Sequence, residues 1–88
     1  MIERTIQVVN RTGLHARPAA VFVQTAAKFQ CRVAVRKEGK EANAKSIIGL
    51  LGLGVNQGSS ITIRAEGPDE ASAVATLVGL VEGGFGES

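Results

Sequence analysis

Apolar and polar residues alternate along three short stretches of the chain, and this alternation predicts three β-strands. An apolar residue occupies every second position in residues 4–9, 32–36 and 60–65. A period of two places successive side chains on opposite faces of a strand, so one face of the sheet is expected to be buried and the other to lie in water. Such a pattern favours an antiparallel sheet that is covered on one side only.

A fourth strand is expected at the edge of this sheet. Residues 37–40 have the composition of a hairpin turn, in which Gly39 supplies a positive φ. Residues 41–44 would then form a short and charged strand. Charge suits an edge strand because it discourages pairing with other chains.

Two helices are predicted in the first two thirds of the chain. In residues 16–28 the apolar side chains recur at the spacing of one helical face, and Pro18 lies in the first turn, where its missing N–H costs nothing. These apolar residues are Ala19, Phe22, Val23 and Ala26. A short helix is expected to begin at Ile47 with Ser46 as its N-cap, and glycines end it.

A third helix is predicted after a break at Gly67 and Pro68. Asp69 is expected to cap this helix, and Gly83 with Gly84 to end it. Its apolar face is marked by Ala71, Val74, Ala75, Val78 and Val81. The Gly-rich tail, residues 83–88, is expected to fray.

The elements follow the order βαββαβα, which we interpret as an α+β fold. We expect a two-layer open-faced β-sandwich, in which three helices cover one face of a four-stranded antiparallel sheet. A right-handed crossover from the first strand through a helix to the second would leave a gap that the last strand can fill. Residues 1–88 are expected to form a single domain, since this length suits one small domain.

Composition removes several classes of function. One Cys and one His leave no disulfide framework and too few soft ligands for a zinc site, so we expect no metal and no cofactor. The absence of Trp and Tyr argues against a base-stacking surface for nucleic acid. The most apolar run, residues 47–55, is far shorter than the ~20 residues of a membrane span, and no apolar signal region precedes the first strand. We therefore expect a cytoplasmic protein that does not insert into a membrane.

The one histidine, His15, lies where a loop enters the first predicted helix, and Gly13 lets that loop bend tightly. The N–H groups of a helix N-terminus bind anions, and Arg17 adds a guanidinium two residues later. The same positive end disfavours an imidazolium cation and favours the neutral, nucleophilic ring. A neutral imidazole nitrogen can attack a phosphoryl group while these donors hold its oxygens. The alternative is a surface or helix-capping histidine beside a solvated arginine.

Other interpretations of the reactive residues stay open at this point. Gly39 followed by residues 44–46 nearly matches a nucleotide-binding loop, although Ala44 stands where the second glycine of that motif belongs. A Ser-His-Asp hydrolase would need Asp69 to orient the histidine, yet the chain has no nucleophile elbow. Cys31 enters a predicted strand and is either a small core residue or a nucleophile.

The residues around the histidine resemble a known active-site signature. Residues 12–19, Thr-Gly-Leu-His-Ala-Arg-Pro-Ala, are similar to the signature of HPr, the histidine-containing phosphocarrier family of the bacterial phosphoenolpyruvate:sugar phosphotransferase system. Residues 45–51, Lys-Ser-Ile-Ile-Gly-Leu-Leu, resemble the regulatory-serine region of that family. The order of strands and helices agrees from Ile2 to about Val81, so the resemblance covers nearly the whole chain.

The resemblance implies a covalent carrier without turnover of its own. His15 would accept a phosphoryl group from phospho-enzyme I on its Nδ1 and pass it to an enzyme IIA domain. Arg17 would steady the phosphoryl group, together with Thr12 and Ala16. The partner-binding residues would be Ala16, Arg17, Ala20, Ile47, Ile48 and Leu51. For Ile47 and Leu51, core packing is the open alternative, since a short helix must bury something.

The resemblance leaves the regulation and the pathway undecided. Besides capping a helix, Ser46 would be the target of HPr kinase/phosphorylase. The phosphate added to Ser46 would place negative charge on the partner-binding surface. The absence of tyrosine and the tail at residues 81–87 depart from common HPr chains, and this tail looks somewhat like the nitrogen-related branch. Sugar uptake, that branch and a docking module that never carries phosphate therefore remain alternatives. A monomer is expected, because a carrier presents one face to its partners in turn.

Overall fold

The strands and helices follow the predicted order. The computed structural model describes residues 1–86. Its strands are β1 (Ile2–Gln7), β2 (Arg32–Lys37), β3 (Lys40–Asn43) and β4 (Ser60–Glu66). Its helices are α1 (Ala16–Ala26), α2 (Ile47–Leu51) and α3 (Glu70–Glu82), and a 3₁₀ turn at Gly84–Gly86 follows α3. Each predicted element is present, with ends that differ by a few residues from the sequence pattern.

The four strands form one antiparallel sheet in the order β1-β4-β2-β3. β4 lies between β1 and β2, with Thr62 opposite Thr5 on one side and Ile63 opposite Val35 on the other. The last strand therefore fills the gap between the first two, as predicted. β3 pairs with β2 across the hairpin and is an edge strand.

The two faces of the sheet differ as the alternation predicts. Alternate residues of β2 and β4 are buried, and they form one core with Phe22 of α1, Leu50 of α2 and Leu77 of α3. On the other face the hydroxyls of Thr5 and Thr62 form a cross-strand hydrogen bond at 2.9 Å in an exposed position. The architecture is the expected open-faced α+β sandwich, with helices on one face of the sheet and water on the other.

The Gly-rich tail folds back onto the core in its described part, so the prediction that it frays is wrong there. Gly84 is buried, and the ring of Phe85 lies 6.5 Å from the ring of Phe22, centroid to centroid. Phe85 has a φ of 57°, in the left-handed region, and this backbone bend accompanies the contact of its ring with α1. Residues 87 and 88 lie outside the described residues.

Asp69 stands at the N-cap position of α3, but the prediction that its side chain caps this helix is wrong. Its carboxylate instead accepts hydrogen bonds from the backbone N–H groups of Gln30, at 2.8 Å, and Cys31, at 2.9 Å. The reason is that these N–H groups, where the chain enters β2, need acceptors of their own. The bond from Gln30 is the largest cause that holds the pKa of Asp69 below its ordinary value. Asp69 thus joins the start of α3 to the start of β2.

Candidate functional site

A tight turn leads from β1 into α1 and fixes the position of His15. The N–H of Gly13 donates to the Asn10 carbonyl at 3.2 Å, and the N–H of Leu14 donates to the Val55 carbonyl at 3.1 Å. The Leu14 side chain is buried in the core. His15 therefore follows directly on a segment that is anchored to the core and to the chain before β4.

Gly13 permits a close approach of two backbone segments. Its φ is +61°, and a Cβ added there would lie 2.4 Å from the Val55 carbonyl oxygen and 2.7 Å from the Asn56 Cα. Any other residue would be strained and would push the loop away from the segment before β4. The expectation that Gly13 lets this loop bend tightly is confirmed.

His15 is the N-cap residue of α1, and its side chain is exposed. Its backbone is extended, with φ −77° and ψ −176°, and its carbonyl accepts a hydrogen bond from the Ala19 N–H at 2.9 Å. Within residues 1–86 the imidazole makes no capping hydrogen bond to the helix. The structure therefore does not support the interpretation of His15 as a side-chain cap, and the ring is accessible to a partner.

The first turn of α1 and the loop before it carry exposed polar groups close to His15 in the sequence. Ala16 and Arg17 hold the first helical positions, whose N–H groups have no carbonyl one turn earlier to bind. Pro18, which has no N–H, follows and is buried. Thr12, Ala16 and Arg17 are exposed, as the ring is. Helix N–H groups, hydroxyls and guanidinium groups are the kinds of donor that bind anions.

α2 places apolar side chains on the surface and packs against α1. Ile48 is 80% exposed, while Ile47 and Leu51 are 37% and 42% exposed. The helix buries Leu50 in the core instead. For Ile47 and Leu51 the structure thus favours a surface position over core packing. Ala20, one turn into α1, is half-buried.

Ser46 caps α2, as predicted. Its Oγ accepts a hydrogen bond from the Gly49 N–H at 3.1 Å. Its backbone, with φ −120° and ψ 114°, is extended, which is typical of an N-cap residue. Gly52 follows the last residue of the helix as its C-cap. The side chain of Ser46 is half-buried and stands at the end of α2 from which Ile47 and Ile48 project.

The other reactive residues have structural roles. The ammonium of Lys45, the lysine of the possible nucleotide-binding loop, donates to the Phe29 carbonyl at 2.7 Å. The carboxylate of Asp69 is held by backbone N–H groups at the start of β2 rather than by the histidine. Cys31 is buried, and this burial is the main cause that raises the pKa of its thiol. A buried thiol of raised pKa is a core residue rather than a nucleophile.

The candidate site is a surface and not a cavity. A cleft of about 610 Å³ lies near Arg32, Ala34 and Arg64, and its lining includes none of the predicted site residues.

Within residues 1–86 no group of three or more His, Cys, Asp and Glu side chains could hold a metal ion. None of the helices in that range is long and apolar enough to cross a membrane.

Asn10 is a site residue that reasoning from the sequence missed. Its side chain is buried, and its Nδ2 donates to the Gly13 carbonyl at 2.8 Å and to Thr12 Oγ1 at 3.2 Å. An asparagine at the start of a turn that contains glycine is a known signal for such bonds, so it could have been found. Val55 gave no comparable signal, because it acts through its backbone carbonyl.

The fold and the junction define a class of protein, a small open-faced α+β sandwich with an exposed histidine at the N-terminus of its first helix. A family model, the PTS HPr component phosphorylation site, matches residues 2–83. The chain belongs to this HPr family of phosphocarrier proteins of the phosphotransferase system.

The similarity extends over almost the full length of known members. HPr-like protein Crh of Halalkalibacterium halodurans is 46% identical over 82 residues, which are 93% of this chain and 98% of that protein. Phosphocarrier protein HPr of Neisseria meningitidis is 41% identical over 87 residues, which are 99% of this chain and 98% of that protein. The crystal structure of HPr from Thermoanaerobacter tengcongensis matches with a TM-score of 0.97 at 55% identity, covering 100% of this chain and 99% of that one. The Thermoanaerobacter protein has also been solved as a dimer.

Proposed function

We propose that the protein accepts a phosphoryl group from phospho-enzyme I on His15 and passes it to enzyme IIA domains in phosphoenolpyruvate-dependent sugar uptake. The observation that carries this proposal is the exposed imidazole of His15 at the N-terminus of α1, with Arg17 two residues on. Membership of the HPr family supports the reaction class and the kind of partner.

The reaction is a transfer of one phosphoryl group between two nucleophiles. The Nδ1 lone pair of His15 attacks the phosphorus, the Nδ1–P bond forms, and the bond from phosphorus to its previous carrier in enzyme I breaks. The N–H groups of Ala16 and Arg17, the Arg17 guanidinium and the Thr12 hydroxyl stabilise the phosphoryl oxygens. Attack by the nucleophile of an enzyme IIA domain then breaks the Nδ1–P bond and restores the imidazole.

The deciding experiment is a phosphorylation assay with an intact-mass readout. The protein and its His15→Ala variant are incubated with phosphoenolpyruvate, Mg²⁺ and enzyme I, and a known HPr serves as the positive control for enzyme I. We expect one added phosphate that is lost in acid and is absent from His15→Ala. A folded protein that gains no phosphate while the control does would contradict the proposal.

We propose that both partners bind one docking surface on α1 and α2. This docking surface consists of Ala16, Arg17, Ala20, Ile47, Ile48 and Leu51. Support comes from the exposed apolar side chains of α2 and from the packing of α2 against the helix that carries the histidine. A small apolar patch beside the reactive group suits partners that must bind and leave quickly.

We further propose that phosphorylation of Ser46 by HPr kinase/phosphorylase regulates the carrier. A phosphate there would add about two negative charges at the end of α2 that carries Ile47 and Ile48, and so weaken docking. The protein and Ser46→Ala are incubated with ATP and the purified kinase, and the phosphoserine is located by mass spectrometry. We expect the phosphoserine to form in the wild-type protein and not in Ser46→Ala. Phosphoryl transfer to His15 should then be slower in the protein phosphorylated at Ser46. The proposal fails if no phosphoserine forms.

A regulatory docking protein is the second candidate, because the chain is 46% identical to a protein named HPr-like protein Crh. Such a module would be modified at Ser46 and would not carry phosphate on His15. The phosphorylation assay separates the two candidates. The same assay with the enzyme I of the nitrogen-related branch distinguishes that branch from sugar uptake, since the faster donor identifies the pathway.

The proposed carrier is a single domain, residues 1–88, that acts as a monomer in the cytoplasm. A monomer can offer its docking surface to enzyme I and enzyme IIA in turn. Sedimentation velocity across a wide range of concentrations tests the oligomeric state, which matters because a related HPr has been solved as a dimer. A stable dimer at micromolar concentration would contradict the monomer.

A further inference from the structure

Asn10 is the one polar side chain among residues 1–86 that is buried, with 4% of its surface exposed. Burying an amide costs free energy unless its donors and acceptors are bonded. An apolar residue of similar size would avoid that cost at this position. The presence of asparagine therefore points to the bonds that it makes.

These bonds lie in the loop that leads to His15. The Nδ2 group donates to the Gly13 carbonyl at 2.8 Å and to Thr12 Oγ1 at 3.2 Å, and the backbone carbonyl of Asn10 accepts from the Gly13 N–H at 3.2 Å. One residue thus closes the turn with its backbone and its side chain. The next residue, Leu14, is bonded to the Val55 carbonyl, so the turn leaves His15 little freedom of position.

Asn10 lies near the turn after α3. A Cβ added at Gly84 would lie 3.6 Å from the Cβ of Asn10 and 3.9 Å from Cγ2 of Val9, which is ordinary van der Waals contact. The backbone of this turn is therefore close to Asn10. The two hydrogen bonds from Nδ2 direct the amide to the histidine loop.

We propose that Asn10 is a positioning residue for phosphoryl transfer, which holds Thr12 Oγ1 and the Gly13 peptide in place beside His15. The inference rests on the proposed function. When the Thr12 hydroxyl accepts a bond from Asn10, its rotamer is defined before a phosphoryl group arrives. The loop then needs no rearrangement in the transition state, in which the phosphoryl oxygens require donors in fixed positions.

Three variants and their combination test this role. Asn10→Leu keeps the branched shape of the side chain and removes its donors. Thr12→Val keeps the shape of an exposed side chain and removes its hydroxyl. Asn43→Ala is the matched control, because Asn43 accepts a bond from the Lys45 N–H at 2.9 Å in a different turn. For each folded variant we measure kcat and KM with phospho-enzyme I, the ³¹P signal of the phosphohistidine and its hydrolysis rate without partners.

The expected pattern is a loss in kcat with unchanged docking. Asn10→Leu lowers kcat about tenfold, the size expected for one or two hydrogen bonds, and leaves KM within about twofold. Thr12→Val lowers kcat about threefold in wild type and has a smaller effect in the Asn10→Leu background, because the two residues share a bond. The ³¹P signal and the hydrolysis rate change in Asn10→Leu and stay at wild-type values in Asn43→Ala.

Several results would overturn the proposal. The first is an unchanged kcat in Asn10→Leu. The second is a double variant in which the separate reductions in kcat caused by Asn10→Leu and Thr12→Val simply multiply. The third is a reduction in kcat in Asn43→Ala as large as that in Asn10→Leu. If Asn10→Leu does not fold, Thr12→Val tests the hydrogen bond between Asn10 Nδ2 and Thr12 Oγ1 by removing its acceptor. An unchanged ³¹P signal and kcat in that variant would then count against the role of the bond.

A measurement on the unphosphorylated protein separates failure of this inference from failure of the proposed function. Order parameters from ¹⁵N relaxation at residues 11–15 are expected to fall from about 0.85 toward about 0.6 in Asn10→Leu. This measurement needs no enzyme I. Wild type that gains no phosphate overturns the proposed function, whereas order parameters that do not change overturn the positioning role of Asn10.

Discussion

At residue 13 both the backbone conformation and the space around it exclude a side chain. The φ of Gly13 is +61°, and a Cβ on this residue would fall 2.4 Å from the Val55 carbonyl oxygen. Gly13→Ala is therefore expected to lower the free energy of unfolding by about 2–4 kcal/mol, measured by urea denaturation. Gly39, with a φ of +83° and open space around it, is the control. Gly39→Ala should cost about 1 kcal/mol, since only the conformation is unfavourable.

If Gly13→Ala and Gly39→Ala lower the free energy of unfolding equally, the loop before His15 shifts to accommodate a methyl group. In that case the segment at Val55 does not hold the loop in place. A larger loss in Gly13→Ala, together with slower phosphoryl transfer, is expected from a loop that is fixed on both sides.

Cys31 provides a second prediction for a single residue. It is 1% exposed, and burial is the largest cause that raises its pKa, followed by its hydrogen bond with Asp69. Both conditions reduce the thiolate that reacts with disulfide reagents. The native protein at neutral pH is expected to react with a disulfide reagent only at the rate at which it unfolds. Stoichiometric reaction within seconds, at a rate independent of stability, would contradict this expectation.

Among the helices, α2 depends most directly on one cap. Ser46→Ala removes the acceptor for the Gly49 N–H and is expected to lower the free energy of unfolding by ~1 kcal/mol. Ser46→Asp restores an acceptor and should stay within about 0.5 kcal/mol of wild type, while its charge beside Ile47 slows transfer from phospho-enzyme I. Ser72→Ala, an exposed serine within α3, is the control for the loss of a hydroxyl. Urea denaturation and a transfer assay separate stability from docking, and a stable Ser46→Ala would argue against the cap.

The link between α3 and β2 predicts the response of the fold to acid. The pKa of Asp69 is lowered, mainly by its bond from the Gln30 N–H, and the pKa of Glu70 is lowered, mainly by its bond with the N-terminal ammonium. A carboxyl whose pKa is lower in the folded state stabilises the fold above its unfolded-state pKa. That contribution is lost as the pH falls through the folded-state pKa. The free energy of unfolding should therefore fall between about pH 5 and pH 2.

Asp69→Asn is expected to flatten this pH dependence, because the variant has no carboxylate to protonate. Urea denaturation at a series of pH values measures the slope. Glu38→Gln, in the exposed hairpin turn, is the matched control and should keep the wild-type slope. An unchanged slope in Asp69→Asn would show that the bonds from Gln30 and Cys31 do not determine the acid response.

The elements were predictable because their signals are local. Val33 and Val35 alternate with polar neighbours, and both are buried in β2 as the alternation requires. The contacts between elements were not predictable in this way. Gln30 is 39 residues from Asp69 in the chain. A capping pattern near α3 therefore could not reveal that the Asp69 carboxylate accepts a hydrogen bond from the Gln30 N–H. Phe85 is a similar case. The glycines around it predict a flexible backbone, and they give no sign that its ring lies against Phe22.

For the molecule as a whole, the docking surface should be separable from stability. Ile48 is 80% exposed, so Ile48→Asp is expected to leave the urea midpoint unchanged and to raise the KM for transfer from phospho-enzyme I about tenfold or more. Ala75, which the sequence pattern placed on the apolar face of α3, is exposed in the structure. Ala75→Asp therefore adds the same charge to an exposed position of α3 and is the control. A lost folded signal in Ile48→Asp, or an equal rise in KM in Ala75→Asp, would remove Ile48 from the docking surface.

The candidate site was predictable to the extent that it is continuous in sequence. Thr12, His15 and Arg17 come together because they occupy one loop and the first turn of one helix. The support for that loop comes from a distant part of the chain, through the Val55 carbonyl. Only the packed molecule shows this support, because it is a backbone contact with no side-chain signature.

The position of β4 within the sheet has a consequence for synthesis on the ribosome. β4 is the last strand within residues 1–86, yet it lies between β1 and β2, and Thr5 pairs with Thr62. A nascent chain can form α1 and the β2–β3 hairpin early, whereas β1 must wait for the strand that pairs with it. Pairing over such a separation slows folding. The sheet closes only once residue 66 has left the exit tunnel, and a nascent chain halted before residue 60 keeps β1 open to proteases and chaperones.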